Sequence, residues 1–115
     1  MKEENVILEK SYSFALDIMA LAKEIRNHRE YDLASQLWRA GTSIGANVEE
    51  AQAAQSRADF RSKMSIAAKE ARETHYWLRH ARDGKVLDAS HVTPLIDESE
   101  TIKRILTSIV KSSGE

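Results

Sequence analysis

The chain has 115 residues, with 17 lysines and arginines, 18 aspartates and glutamates, and a formal net charge of −1. Its length suits one hydrophobic core, and its charge as a whole does not point to a nucleic-acid partner. The absence of cysteine from the sequence excludes disulfides and thiolate metal sites. No uncharged run approaches the roughly 20 residues of a membrane span, and the N-terminus lacks the apolar core of a signal peptide, so we expect a cytoplasmic protein.

Apolar side chains recur at helical spacing in four segments. The first segment, residues 6–28, follows Asn5, a residue type that commonly caps helices. The second segment, residues 33–55, follows Asp32 in the same way. Its apolar stripe, which covers one face, consists of Leu33, Leu37, Ala40, Ile44, Val48 and Ala51.

The third helix is predicted over residues 57–82. Ser56 and Asp59 have the spacing of a capping box at its start, with aspartate in place of the usual glutamate. Gly84 follows its end and suits a left-handed residue that stops a helix.

The fourth helix is predicted over residues 90–112, and two starts are open. Thr93 can cap the helix with Pro94 in the first helical position. Alternatively, the helix starts nearer Asp88 or Ser90, with Pro94 inside the first turns. Four helices of about 30–38 Å each, joined by short connections, predict an all-α fold: one antiparallel up-down-up-down four-helix bundle over residues 1–115.

Two glycines four residues apart interrupt the second helix beside Trp38. Glycine in a helix interior costs about 1 kcal/mol relative to alanine, so a helix of the same or a neighbouring subunit is expected to approach there. On the third helix, Ile66 and Trp77 are placed on the outer face. They indicate either a second interface or the ordinary exposure of single apolar residues. The predicted oligomer-interface residues are Trp38, Gly41, Gly45, Glu49, Ile66 and Trp77.

The third helix also carries the basic excess of the chain, with eight basic and four acidic side chains in residues 56–85. One interpretation is a nucleic-acid face, with Tyr76 and Trp77 nearby for stacking. The other is a solvated face paired with Glu70 and Glu73, which the residues alone favour because the row is short and the chain is not basic overall. The predicted nucleic-acid contacts are Arg57, Arg61, Arg72, Arg79 and Arg82.

Catalytic and metal-binding patterns are not evident in the sequence. The four histidines show neither the H-E-x-x-H nor the E-x-x-H spacing of helical metal sites. Glu49 and Glu50 are adjacent and diverge on a helix, so they cannot form a catalytic pair and are better suited to polar contacts. We therefore expect no enzyme, no cofactor and no metal.

Residues 36–40 (QLWRA) and 42–51 (TSIGANVEEA) resemble the core signature of the four-helix-bundle proteins encoded in intervening sequences of bacterial large-subunit ribosomal RNA genes. Residues 59–78 are similar to the third helix of that family. The resemblance spans about residues 5–112. The chain departs from the family pattern at Gly45, where many relatives have proline, and at Ala51, where many have glycine.

The resemblance implies an antiparallel bundle that assembles into a ring, a homopentamer, without enzymatic activity. A related family, the accessory variability determinant of diversity-generating retroelements, shares the architecture, binds nucleic acid and partners a reverse transcriptase. The expected function is a non-enzymatic homo-oligomer that contacts RNA or DNA through the arginine row. The alternatives are a protein-interaction module without nucleic-acid binding and, less favoured, a small-molecule or metal-binding bundle.

Overall fold

Four α-helices make up nearly all of the chain that the structure describes. The structure is a computed structural model that describes residues 2–114, with side chains described from Asn5 onward. The helices are α1 (Lys2–Asn27), α2 (Tyr31–Gln52), α3 (Arg57–Asp83) and α4 (Ala89–Ser113). Within these residues no strand occurs, and the predicted all-α four-helix bundle is confirmed.

Neighbouring helices run in opposite directions. Gly41 of α2 lies against Ile18 of α1, whereas the later Gly45 lies against the earlier Ser11. Each helix packs on its chain neighbours, and α4 returns to α1 to close the bundle. The molecule measures 44 × 20 × 18 Å, and its long axis matches the roughly 40 Å expected for α3, which has 27 residues.

The core runs the full length of the bundle and contains the predicted apolar stripes. The alanines at the centre of α3 are fully buried, which allows the neighbouring helices to approach closely. The largest side chains with almost no exposed area include Phe14, Ile18, Leu37, Ile44, Met64, Leu78, Ile102 and Leu106. In residues 2–114, no helix is long and apolar enough to cross a membrane.

Two predicted caps on the first two helices are wrong. Because α1 begins at Lys2, Asn5 lies inside the helix. Because α2 begins at Tyr31, Asp32 lies in its first turn, where its charge still suits the helix dipole, and the preceding Glu30 makes no side-chain capping bond. The helix α2 ends at Gln52, three residues before the predicted 55, and the chain then extends toward the start of α3.

The predicted start of α3 is confirmed. The Ser56 side chain accepts a hydrogen bond from the Asp59 backbone N–H at 3.0 Å. Asp59 does not return the bond to Ser56, as a full capping box would; its Oδ2 accepts instead from the Gln55 N–H at 3.3 Å. This bond ties the α2–α3 connection to the first turn of α3.

The end of α3 differs from the prediction by one residue. Gly84 has φ −78°, in the right-handed region, so its predicted left-handed role is wrong. The left-handed residue is Lys85, with φ 58°. A Cβ at Gly84 would lie 2.7 Å from the His80 carbonyl oxygen, so close approach to the backbone accounts for this glycine.

The start of α4 follows the second alternative. Asp88 is the N-cap, and its carboxylate accepts from the Ser90 N–H at 3.2 Å. Thr93 lies inside the helix and does not cap it. Pro94 occupies the second turn and is exposed.

Candidate interaction surfaces

The two glycines of α2 are explained by packing inside one chain. A Cβ at Gly41 would lie 2.5 Å from Ile18 Cγ2, and a Cβ at Gly45 would lie 3.3 Å from the Ser11 carbonyl oxygen. Both glycines are buried against α1. Of the two expected partners, a helix of the same or of a neighbouring subunit, α1 of the same chain lies beside both glycines.

Trp77 also turns inward rather than outward. Its ring is half-buried and packs against the core, and its indole Nε1–H donates to Glu73 Oε2 at 3.1 Å. Ile66, by contrast, is 39% exposed. Glu49 is exposed and forms no ion pair with any residue in the described part of the chain. Of the predicted interface residues on α3, only Ile66 thus stays on the outer surface.

The carboxylates expected to neutralise the arginine row are engaged elsewhere. Arg39 of α2 forms ion pairs with Glu70, at 3.4 Å, and with Glu73. Both glutamates therefore lie on the side of α3 that faces α2, which excludes the predicted pairing of Glu70 and Glu73 with the arginine row.

The arginines of α3 lie on its other side, next to α4. The Arg61 Nε–H donates to the Val110 carbonyl of α4 at 3.3 Å. Because Arg72 and Arg79 follow at intervals of 11 and 7 residues, all three lie within about 20° of one another around the helix and extend over about 27 Å. The arginine row, defined here as Arg57, Arg61, Arg72 and Arg79, is exposed along its whole length.

No member of the arginine row forms an ion pair with a side chain described between residues 5 and 114. Arg82 differs, since its Nε lies 2.9 Å from Asp83 Oδ1 and the residue is half-buried. Among the described residues, the predicted set of five arginines therefore separates into four without an ion-pair partner and one, Arg82, that is paired with Asp83.

Cations of α4 extend the basic surface, and the sequence interpretation missed them. Lys103 lies beside α3, close enough to influence the His75 titration, and is paired with Glu100 at 2.6 Å. Arg104 and Lys111 are exposed, and Lys111 directly follows the residue that accepts the Arg61 hydrogen bond. Antiparallel neighbours place these residues together, so the order of helices in the bundle was the signal that could have identified them.

Burial modestly perturbs one titratable group at this surface. Desolvation lowers the pKa of His75, while Glu100 acts to raise it and Arg79, Lys103 and Arg82 act to lower it. The lowered pKa disfavours the charged form of His75, so the positive charge of this surface comes mainly from the arginines and lysines.

Aromatic rings lie beside the arginine row, on its side toward α2. Tyr76 is 46% exposed; it lies between Arg72 and Arg79 along the helix axis, about 40–60° to one side of them around the helix. Its ring centroid lies 5.0 Å from Trp77 in an edge-on arrangement and 4.5 Å from His80. The Arg79 guanidinium carbon lies 5.8 Å from the Tyr76 centroid, so a cation and an aromatic face are presented together.

A second surface, on α1 and α2, is apolar. Tyr12 and Leu16 stand one turn apart on α1 and are 64% and 52% exposed. On α2, Trp38 is 40% exposed and lines a small groove with Ala22 and Lys23 of α1. We call these three, Tyr12, Leu16 and Trp38, the apolar surface. The four-residue spacing of Tyr12 and Leu16 away from the core stripe was visible in the sequence.

A cavity with a volume of about 770 Å³ lies at the end of the bundle, beside the start of α4. Its lining mixes Arg82, Lys85 and His28 with Glu24 and Asp88. Across the described residues, no three metal-ligating side chains converge. The cavity therefore favours no single class of ligand.

Comparison with known proteins places the chain in a family. The sequence profile described as "23S rRNA-intervening sequence protein" matches residues 3–108. The chain shares 41% sequence identity with a protein of unknown function from the S23 ribosomal protein family of Bacteroides thetaiotaomicron, and its structure matches the crystal structure of that protein with a TM-score of 0.90. That match covers 95% of this chain and 98% of the other. No curated protein matches the chain. Together, the profile and the solved structure show that the chain belongs to the 23S rRNA-intervening sequence protein family.

Proposed function

We propose that the chain is a non-enzymatic, homo-oligomeric bundle of the cytoplasm, a pentamer, that binds RNA or DNA through its arginine row. The observation that carries the proposal is the exposure of Arg57, Arg61, Arg72 and Arg79 without carboxylate partners in the described chain. Unpaired arginines have no local ion pair to break when they contact phosphate. Their planar guanidinium groups can form bidentate hydrogen bonds to phosphate oxygens.

The length of the arginine row suits a polyanion better than a small ligand. Three arginines spread over about 27 Å of helix cannot converge on one phosphate group, but they can contact successive phosphates of a nucleic-acid strand. Each contact releases counterions, so binding should weaken steeply with salt. Self-association would present several rows at once and raise the overall affinity without any new contact.

Fluorescence anisotropy with a labelled structured RNA, titrated at several salt concentrations, tests the nucleic-acid proposal. The triple variant Arg61→Gln, Arg72→Gln, Arg79→Gln should bind at least about tenfold more weakly and show a shallower salt dependence. The matched control removes three cations from the opposite part of the bundle, with Lys23→Gln, Arg26→Gln and Arg29→Gln, and should bind nearly as the native chain does.

Absence of binding at low salt would overturn the nucleic-acid proposal. The same conclusion would follow if the row variant and the control variant lost affinity equally, because the effect would then depend on net charge alone.

The apolar surface supports the homo-oligomeric part of the proposal. Tyr12, Leu16 and Trp38 expose large apolar area on α1 and α2, and Ile66 exposes more on α3. Burial of such area against another subunit is favourable. Multi-angle light scattering on the native chain should give a mass several times that of the 13.0 kDa monomer. The double variant Leu16→Glu, Trp38→Glu should shift it toward the monomer.

A native chain that stays monomeric at micromolar concentration would overturn self-association. The apolar surface would then be available to a different protein, which is the alternative function of an interaction module without nucleic-acid binding.

A further inference from the structure

We infer that Tyr76 is a stacking platform for an unpaired base, so that the preferred ligand is single-stranded nucleic acid; this inference rests on the proposed nucleic-acid function. Of the phenylalanine, tyrosine and tryptophan side chains of α3, Tyr76 is the most exposed, at 46%, and in the sequence it lies between Arg72 and Arg79 of the row. Phosphates held by Arg72 and Arg79 would bring the bases of the same strand to its ring.

Two neighbouring rings pack against the ring of Tyr76. Trp77 contacts it edge-on, with an interplanar angle of 76°, and His80 lies 4.5 Å away. Trp77 is itself fixed, because it packs against the core and donates to Glu73. Glu73 in turn pairs with Arg39 of α2. A platform held in this way loses little side-chain entropy when a base stacks on it.

The chemistry of the platform selects unpaired bases. Every base has a π-face, so stacking tolerates any sequence, but in a duplex those faces are covered by neighbouring base pairs. Recognition of a base edge would need hydrogen-bonding side chains aimed at it, whereas the surroundings of Tyr76 are aromatic rings and guanidinium groups. The site therefore fits a single strand bound without sequence preference.

A second tyrosine provides an internal control. Tyr31 is 53% exposed, and the Arg26 guanidinium carbon lies 5.5 Å from its centroid, which is nearly the geometry of Tyr76 and Arg79. Tyr31 stands at the start of α2, however, away from the arginine row. Comparison of the two sites separates the effect of the row from that of a generic tyrosine–arginine pair.

The experiment compares three labelled oligonucleotides of equal length by fluorescence anisotropy: a single strand, a fully abasic strand with the same phosphates, and a duplex. For the native chain, the single strand should bind roughly tenfold more tightly than the abasic strand and more tightly than the duplex. Tyr76→Leu should abolish the difference between base-bearing and abasic strands, Tyr76→Phe should preserve it, and Tyr31→Leu should leave it unchanged.

A second readout uses Trp77 as a reporter. In a Trp38→Phe variant, Trp77 is the sole tryptophan, and the base-bearing strand should quench its emission more than the abasic strand does. Equal binding of both strands, unaffected by Tyr76→Leu, would overturn the stacking inference and leave the arginine–phosphate proposal standing. Failure of every oligonucleotide to bind would overturn both.

Discussion

Replacement of Gly41 by alanine tests how closely α2 approaches α1. The added Cβ would lie 2.5 Å from Ile18 Cγ2 and 2.9 Å from both Cβ and Cγ1. These separations are about 1 Å shorter than a normal carbon–carbon contact. Ile18 is fully buried and β-branched, so its side chain cannot rotate away, and α1 must move.

The expected loss follows from two opposing terms. Overpacking of a core typically costs about 1–3 kcal/mol, whereas exchange of glycine for alanine in a helix gains about 1 kcal/mol. We expect Gly41→Ala to lower the free energy of unfolding by about 1 kcal/mol, and by at most about 2 kcal/mol. For a chain of this size, that loss would lower the melting temperature by several degrees, up to about 10 °C.

The matched control is Gly45→Ala. Its Cβ would lie 3.3 Å from the Ser11 carbonyl oxygen and 3.5 Å from Ser11 Oγ, a tight contact that small adjustments can relieve. The helix-propensity gain then dominates, and stability should stay equal or rise by up to about 1 kcal/mol.

Urea denaturation followed by circular dichroism at one fixed protein concentration gives both values, since self-association would make stability concentration-dependent. Ile18→Ala should partly relieve the steric clash that Gly41→Ala creates. The summed losses of unfolding free energy of the two single variants should therefore exceed the loss of the double variant. A Gly41→Ala protein as stable as the native chain would refute the proposed closeness of α1.

Three further predictions concern a cap, a turn and a histidine, all measured by denaturation. Ser56→Ala should cost about 1 kcal/mol through loss of the α3 cap, while the exposed mid-helix Ser65→Ala should cost nothing; equal effects would contradict the capping role. Lys85→Gly should stabilise by up to about 1 kcal/mol by relieving its positive φ, and a lower melting temperature would refute this. Because burial lowers the pKa of His75, the folded state resists protonation and stability should fall as pH drops through 6.5. His75→Gln should remove that part of the pH dependence, and an unchanged profile would exclude it.

The features that could be predicted from the sequence are those that belong to a single helix, such as its buried face and its cap. The stripe from Leu37 to Ala51 and the alanines of α3 are buried as expected, because a face of a helix is readable from spacing alone. Ser56 capping was also predictable, since the capping residue and its partner are three positions apart.

What the sequence could not predict depends on how two helices are aligned. Glu70 and Glu73 lie near the arginine row in the sequence. They form ion pairs with Arg39 instead, because the alignment of α2 with α3 places Arg39 beside them. Trp77 was assigned outward from its angle on an isolated helix, but a large ring a quarter turn from the core centre can still reach the core beside α2. The left-handed residue moved from Gly84 to Lys85 because close approach to His80, rather than backbone freedom, requires the glycine.

Charge is unevenly distributed among the helices of the bundle. Residues 1–55 carry nine acidic and six basic side chains, whereas residues 56–85 carry eight basic and four acidic ones. At 0.1 M ionic strength, screening limits the reach of a charge to about 10 Å, about half the 18–20 Å width of the molecule. An approaching polyanion thus senses the near side alone, and a protein with an isoelectric point near 6.4 should still be retained by a cation exchanger at neutral pH.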